Sequence, residues 1–388
     1  MDNFNLTTTI LLPALLVAGV TMFIVFNAND GIFDKIIDDI SIKTTPSTDN
    51  IPLTREWTGN TVFDQLFAVF LILARQLLGG RHPAGTLHTL HFFGQMGACW
   101  TLMQLEAKRE DNNRRIFECT TLIILLYPNV SFAITIPLWC ILHLRTLPRT
   151  NSATLTVNLC LPATEARILP WAMTLGYVLP ILAMALSLSR ALAQQFWLLF
   201  PLFPFWVYLA SNSVLRPLFG AGTSMTPRPL LSLPPAASYH ATTTPHLFAL
   251  LLATITHTAT LSLSLSALLF PALFHPEMAV SLHPAAVFLP KLSLAGATEV
   301  ELAEGATRFL QWDGYISSMA SVVWAATVYL QDTRVKGGRR FGVWGVLVRA
   351  VGWSVLGGPA AAAVGLVWAR DEVVLGAEVG GMGGMSFL

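Results

Sequence analysis

Carboxylates are scarce in the apolar stretches of this chain, and each one there is a candidate for proton chemistry. Holding an ionised group at membrane depth is costly, so one that is retained there is a functional hypothesis by default. The informative groups are Asp64, Glu106, Asp313, Asp371 and Glu372, and no aspartate occurs between Asp111 and Asp313. Helical spacing puts His88, His91, Gln95, Cys99, Leu102 and Glu106 along roughly one face. A polar stripe on an otherwise apolar helix is expected to face the interior of a bundle. Glu106 then has two readings: an acid or binding group, or an interfacial charge paired with Lys108, Arg109 or Arg75. His88 and His91 stand at i, i+3, a spacing that could serve a metal. With no further ligand in view, a hydrogen-bonding role is favoured and no metal site is expected.

Asp313 lies in Gln311-Trp312-Asp313, with Ser317, Ala320 and Trp324 following on its face. It reads either as a partner for a helix dipole or as a carboxylic acid kept neutral by apolar surroundings. Asp371, in Trp368-Ala369-Arg370-Asp371-Glu372, reads first as an interfacial salt bridge to Arg370. Aromatic belts account for many of the 11 Trp and 23 Phe. Trp57, Trp100, Trp139, Trp312 and Trp324 could instead line a cavity, where ring faces stabilise a carbocation without reacting with it.

The elements that must position these groups are long apolar helices. Of 388 residues, 54% are hydrophobic and 12% charged, and the charges gather in short segments between apolar runs. That pattern predicts an all-α polytopic transmembrane bundle of about eight or nine spans. The expected spans are residues 7–26, 60–78, 87–107, 116–144, 168–189, 191–212, 246–272, 309–330 and 342–369. A net charge of +1 gives no field that would attract nucleic acid. Cys99, Cys119, Cys140 and Cys160 form no CxxC pair and read as small apolar residues.

Three regions follow: an anchor helix and acidic loop over 1–59, a catalytic bundle over 60–372, and a Gly-rich tail over 373–388. The first span has Asp2 and no basic residue ahead of it, so it reads as an uncleaved anchor. The sequon Asn5-Leu6-Thr7 points to a luminal N-terminus. Residues 213–245 and 273–308 read as loops. Lys108, Arg109, Arg114 and Arg115 mark one cytoplasmic loop, and Arg334, Lys336, Arg339 and Arg340 another. Five spans between them would put the two loops on opposite faces, so either one span fails to cross, with the Pro-broken 191–212 segment the suspect, or the charge rule fails here; nine is kept as the working count because 191–215 carries no charge.

Several ordered pieces resemble a fungal family of integral membrane terpene cyclases, the ascochlorin and ascofuranone type of meroterpenoid clusters. They are Trp57-Thr58-Gly59, Phe93-Gly94-Gln95, Leu105-Glu106 with Asn113-Arg114-Arg115, Ser131-Phe132-Ala133, Ile136-Pro137-Leu138 to Leu142-His143-Leu144, Leu161-Pro162, Phe203-Pro204-Phe205-Trp206, Phe309-Leu310-Gln311-Trp312-Asp313 and Trp368 to Glu372. The run departs from the family at Ala107-Lys108. The resemblance implies an enzyme needing no cofactor. A carboxylic acid protonates a terminal epoxide or alkene on a farnesyl-type chain, and rings close through tertiary cations. An apolar substrate reaches a site at bilayer depth directly, and water that would quench the cation is excluded. The resemblance makes Glu106 and Asp313 the acid/base candidates, with Asp64 and Asp371 in reserve. Gln95 would orient the reacting oxygen or the acid, and Trp100, Trp312 and Trp324 would face the substrate. The expected partners are a prenylated small molecule and the lipid bilayer, in the endoplasmic reticulum.

Two rivals remain at this level. Asn29-Asp30, Asp34, Asp38 and Asp39 resemble the aspartate motif by which UbiA-type prenyltransferases hold magnesium diphosphate. The spacing is off by one residue and no second cluster follows. A small-molecule transporter would use the same charges as a relay or counter-ion, yet no matched halves are found.

Overall fold

The computed structural model describes residues 3–28, 31, 35–36, 59–78, 82–109, 130–147, 152–186, 202–219, 235–290, 302–337 and 341–376. Among them the fold is all-helical, without strands. A helical lead, Asn3–Leu6 and the π segment Thr7–Leu11, runs into α1, Leu12–Ala28, followed by α2, Thr61–Leu78, and α3, Pro83–Ala107. Next come α4, Phe132–Thr146, and α5, Ala163–Met173, which continues through a π segment to Ala185. The further long elements are α6, Phe203–Leu209 with its π extension Ala210–Leu215, α7, Pro235–Leu269, α8, Leu302–Lys336, α9, Val343–Gly357, and α10, Pro359–Val374, with shorter helical turns between them.

Among the described residues, charged groups lie inside a mainly apolar core while large apolar side chains face outward. Val17 and Ile24 of α1, Trp171 and Leu182 of α5, Leu251 and Ile255 of α7, and Trp344, Val348 and Val351 of α9 are exposed, while Glu106, Arg109, Arg370 and Asp371 are buried. Water punishes that arrangement and hydrocarbon rewards it. Helices covering Phe4–Val25, Ala163–Ala185 and Ser238–Leu269 are long and apolar enough to cross a membrane. The protein is therefore membrane-associated.

Helix α3 is the axis. It is buried around nearly its whole circumference, so the expected stripe does face inward, along with everything else on α3. Gly94 and Gly97 let it approach Thr256 and Leu252 of α7, and a methyl group at either position would collide. Helices α4, α8 and α10 run parallel to α3. Thr307 lies beside Gly85, and Phe92 packs on Gly314. Met96 meets Ser317, and Gln95 and Glu106 meet Ala360 and Arg370. Helices α5 and α7 run antiparallel to α3: Tyr177 meets Phe93, and His257 meets His91. The bundle thus has a Glu106 end and an Asp313 end.

Three expectations change. Residues 342–369 form two antiparallel helices, not one span. Gly358 adopts φ 84°, a left-handed conformation suited to glycine, and Pro359 starts the return helix at its first position. The loops at 213–245 and 273–308 are shorter than expected, because α7 begins at Pro235 and α8 at Leu302. The two basic segments also share one end. Lys336 donates to Thr156 (2.9 Å) and Arg109 to the Leu159 carbonyl (2.5 Å), on the same short connection. Of the suspect segment, residues 202–212 are described, and there α6 packs along α5 with Val207 against Gly176 and Arg216 bridging Glu165. In addition, α4 starts at the Asp313 end although α3 stopped at the Glu106 end. About half of the expected 116–144 span, together with Arg114, Arg115 and Cys119, lies outside the described residues. So do the acidic residues Asp30, Asp34, Asp38 and Asp39, and the tail beyond Gly376.

Candidate active site

Glu106 closes the last turn of α3 and is 1% exposed. Its Oε1 accepts from Arg109 Nε and Arg370 NH2, both at 2.7 Å, and Oε2 accepts from Arg370 NH1 at 3.2 Å. Asp371 is fully buried beside it. Its Oδ2 accepts from Arg109 NH2 at 2.6 Å and lies 2.9 Å from His246 Nε2, while Oδ1 accepts from Arg370 at 2.7 Å. Asp332 Oδ2 stands 3.7 Å from Arg370 NH1. Burial of Glu106, Asp371, Arg109 and Arg370 is tolerable only because each finds hydrogen-bonded partners. Lys108, the neighbour of Arg109, turns away to Glu165. The sequence-level pairing of Glu106 with Arg109 and of Asp371 with Arg370 is present, but inside the bundle rather than at its rim.

An aromatic wall adjoins the cluster. Trp139 stacks on His143 with ring centres 4.8 Å apart and meets Trp324 edge-on at 5.4 Å. Trp324 Nε1 donates to His143 Nδ1 at 3.1 Å. Indole can only donate, so Nδ1 is the acceptor and a neutral His143 carries its proton on Nε2. That nitrogen points at Glu106 Oε2 from 3.9 Å. His246 stacks on Trp368 at 5.7 Å. Sequence reading missed His143, His246 and Asp332 as members. The available signals were a histidine inside the Trp139-to-Leu144 run and one at the start of an apolar stretch.

Asp313 is elsewhere. It accepts from Ser131 Oγ at 2.5 Å and from the backbone amides of Ala133 and Phe132 at 2.6 and 3.3 Å. It therefore caps the N-terminus of α4, where free amides favour a carboxylate. Phe92 packs beside it on Gly314, and the step along α3 from Phe92 to Glu106 is about 21 Å at ~1.5 Å per residue. The two acids do not meet. Gln95 is a clamp: Nε2 donates to the carbonyls of Ala253 and Gly357, and Oε1 accepts from Ala360 N. Trp100 packs edge-on against Tyr177. Trp312 joins Ile36, Ile72 and Phe309 away from the cluster. Asp64 accepts from Gly59 N at the start of α2. Among the described residues no group of three or more His, Cys, Asp or Glu is arranged to hold a metal.

The model of the CtvD domain matches residues 7–375, nearly the whole chain. The chain belongs to the CtvD family. Among curated relatives of this family member, the terpene cyclase ascI of Acremonium egyptiacum is 28% identical over 95% of this chain and 93% of its own length. The terpene cyclase ctvD of Aspergillus terreus is 26% identical over 83% of this chain and 86% of its own length. The terpene cyclase atmA of Aspergillus flavus is 23% identical over 88% of this chain and 91% of its own length. No solved structure matches this CtvD-family chain.

Proposed function

We propose that this protein is a membrane-bound terpene cyclase of fungal meroterpenoid biosynthesis. It protonates a terminal epoxide or alkene of a prenyl chain and guides the cationic ring closure. The observation that carries the reading is the buried cluster with its aromatic wall. Among the described residues, the carboxylates Glu106, Asp332 and Asp371 face the guanidinium groups of Arg109 and Arg370. One added proton makes that set neutral, which burial favours. The cluster can therefore hold a proton in a dry place and release it to an epoxide or alkene. The paired arginines then stabilise the carboxylate left behind. Trp139, Trp324 and the His143 edge supply π faces next to the donor, where positive charge would develop.

On this reading Glu106 and Asp371, with Asp332, form the acid group, and Asp313 positions α4 and hence Trp139 and His143. Helices α1 to α8, with the change of end between α3 and α4, would give about eight or nine crossings, and the α9–α10 hairpin would dip in from the Glu106 end. The endoplasmic reticulum is the expected membrane, and the prenylated substrate would enter from the lipid.

The test is turnover in microsomes given a farnesylated phenol bearing a terminal epoxide. Glu106→Gln and Asp371→Asn should each lose 100-fold or more, the usual scale of a positioned proton donor. Full turnover by both variants would remove the cluster from the reaction.

A further inference from the structure

A second polar centre, distinct from the charged cluster, lies at the Asp313 end. A small cavity there is lined by His88, His91, Phe92, Gln95, Gln311 and Tyr315, among others. It has room for about one water molecule, which is also the space a hydroxyl group needs.

The hydrogen bonds around it fix what it can recognise. His257 Nε2 lies 3.1 Å from the Val355 carbonyl, and His257 Nδ1 lies 3.1 Å from His91 Nε2. A carbonyl only accepts, so His257 carries its proton on Nε2 and, as a neutral ring, accepts at Nδ1. His91 must then donate from Nε2, which leaves its Nδ1 as an acceptor, and this ring is 5% exposed. The amide donors of Gln311 are used by the carbonyls of Ala286 and Val287, leaving Oε1. The Tyr315 hydroxyl donates to Phe288 O, and the donors of Gln95 are used by Ala253 and Gly357. His88 is 2% exposed, with neither ring nitrogen in hydrogen-bonding geometry and the carbonyls of Leu310 and Val287 beside it. The wall thus presents the acceptors His91 Nδ1 and Gln311 Oε1, with the Ser318 hydroxyl able to play either part and His88 carrying one N–H donor and one acceptor nitrogen.

We propose that this cavity is a subsite for a hydrogen-bond-donating hydroxyl at the polar end of the substrate, a phenol or alcohol, held by His91 Nδ1 and Gln311 Oε1. The proposal rests on the cyclase reading for the identity of the substrate. From His91 to Glu106 is about 22 Å along α3 at ~1.5 Å per residue. That is close to the reach of an extended farnesyl chain joined to one aromatic ring. The hydroxyl would anchor one end while the other end, which is protonated first, lies at the acid.

Two probes test this in lipid nanodiscs: a farnesylated phenol with a terminal epoxide, and its phenolic methyl ether, which cannot donate. The wild-type protein should bind the phenol about tenfold more tightly, the value of one neutral hydrogen bond plus the acceptor left unpaired. His91→Phe should erase that preference while still binding the ether. Equal wild-type binding of phenol and ether overturns the subsite even if both are cyclised. A tenfold preference without any cyclised product leaves the subsite standing and overturns the cyclase reading instead. If His91→Phe fails to fold, the wild-type comparison of the two probes decides alone.

Discussion

Replacing Arg370 with methionine tests whether the charged cluster is one balanced unit. The guanidinium of Arg370 donates to Glu106 through two nitrogens (2.7 and 3.2 Å) and to Asp371 (2.7 and 3.0 Å), and stands 3.7 Å from Asp332. Arg370→Met leaves these carboxylates to share Arg109 in a site from which water is excluded. Breaking one buried pair costs about 3–5 kcal/mol, because the orphaned charge stays buried. The upper end of that range applies here, since Glu106 and Asp371 both lose a partner. Adding Glu106→Gln to Arg370→Met removes one orphaned charge and should return about 2 kcal/mol or more. That is a coupling typical of residues within one network. The assay is equilibrium unfolding in detergent micelles for the wild type, both single variants and the double variant. The reasoning is refuted if Arg370→Met lies within 1 kcal/mol of wild type, or if the second substitution adds to the loss rather than relieving it.

Gln95→Leu removes the clamp that ties α3 to α7, to the end of α9 and to the start of α10, with its three hydrogen bonds. At about 1 kcal/mol for each of its bonds, the loss should be roughly 3 kcal/mol, read as a lower thermal midpoint in micelles. Gly358→Ala puts a methyl group into the Gln95 amide at φ 84°. It should cost about 2 kcal/mol or more and lower the yield of folded protein, measured by size-exclusion recovery. Asp313→Asn weakens the cap of α4. It should cost about 1–2 kcal/mol of stability while changing single-turnover cyclisation by less than tenfold. A 100-fold loss of rate with unchanged stability would make Asp313 an acid rather than a cap.

Much of the bundle was legible because hydropathy reads length well. The stretches 60–78 and 87–107 became α2 and α3 with small changes at their ends. The hairpin over 342–369 was not legible in that way. Two short apolar helices joined at Gly358-Pro359 have the same hydropathy as one long one, and only the Gly-Gly-Pro sequence marked the turn. The orientation argument failed for a related reason: basic residues mark an end of the bundle, yet α4 starts at the opposite end from where α3 stops, which changes the count. At the site, Glu106 with Arg109 and Asp371 with Arg370 were visible as neighbours in sequence. That the two pairs form one cluster was not, because it depends on α3 and α10 running parallel from distant parts of the chain. Asp313 was a fair candidate by rarity alone. Its three donors come from Ser131, Phe132 and Ala133, which no helical periodicity links to it.

The central claim is that a dry proton in this bundle closes rings on a prenyl chain without diphosphate chemistry. The most direct measurement uses purified wild-type protein in lipid nanodiscs, with a chelator present, and the epoxide of a farnesylated phenol as substrate. The account predicts a cyclic product of the same mass as the substrate, lost in Glu106→Gln. Turnover that requires magnesium and a prenyl diphosphate, or transport of the substrate with no new product, would contradict it.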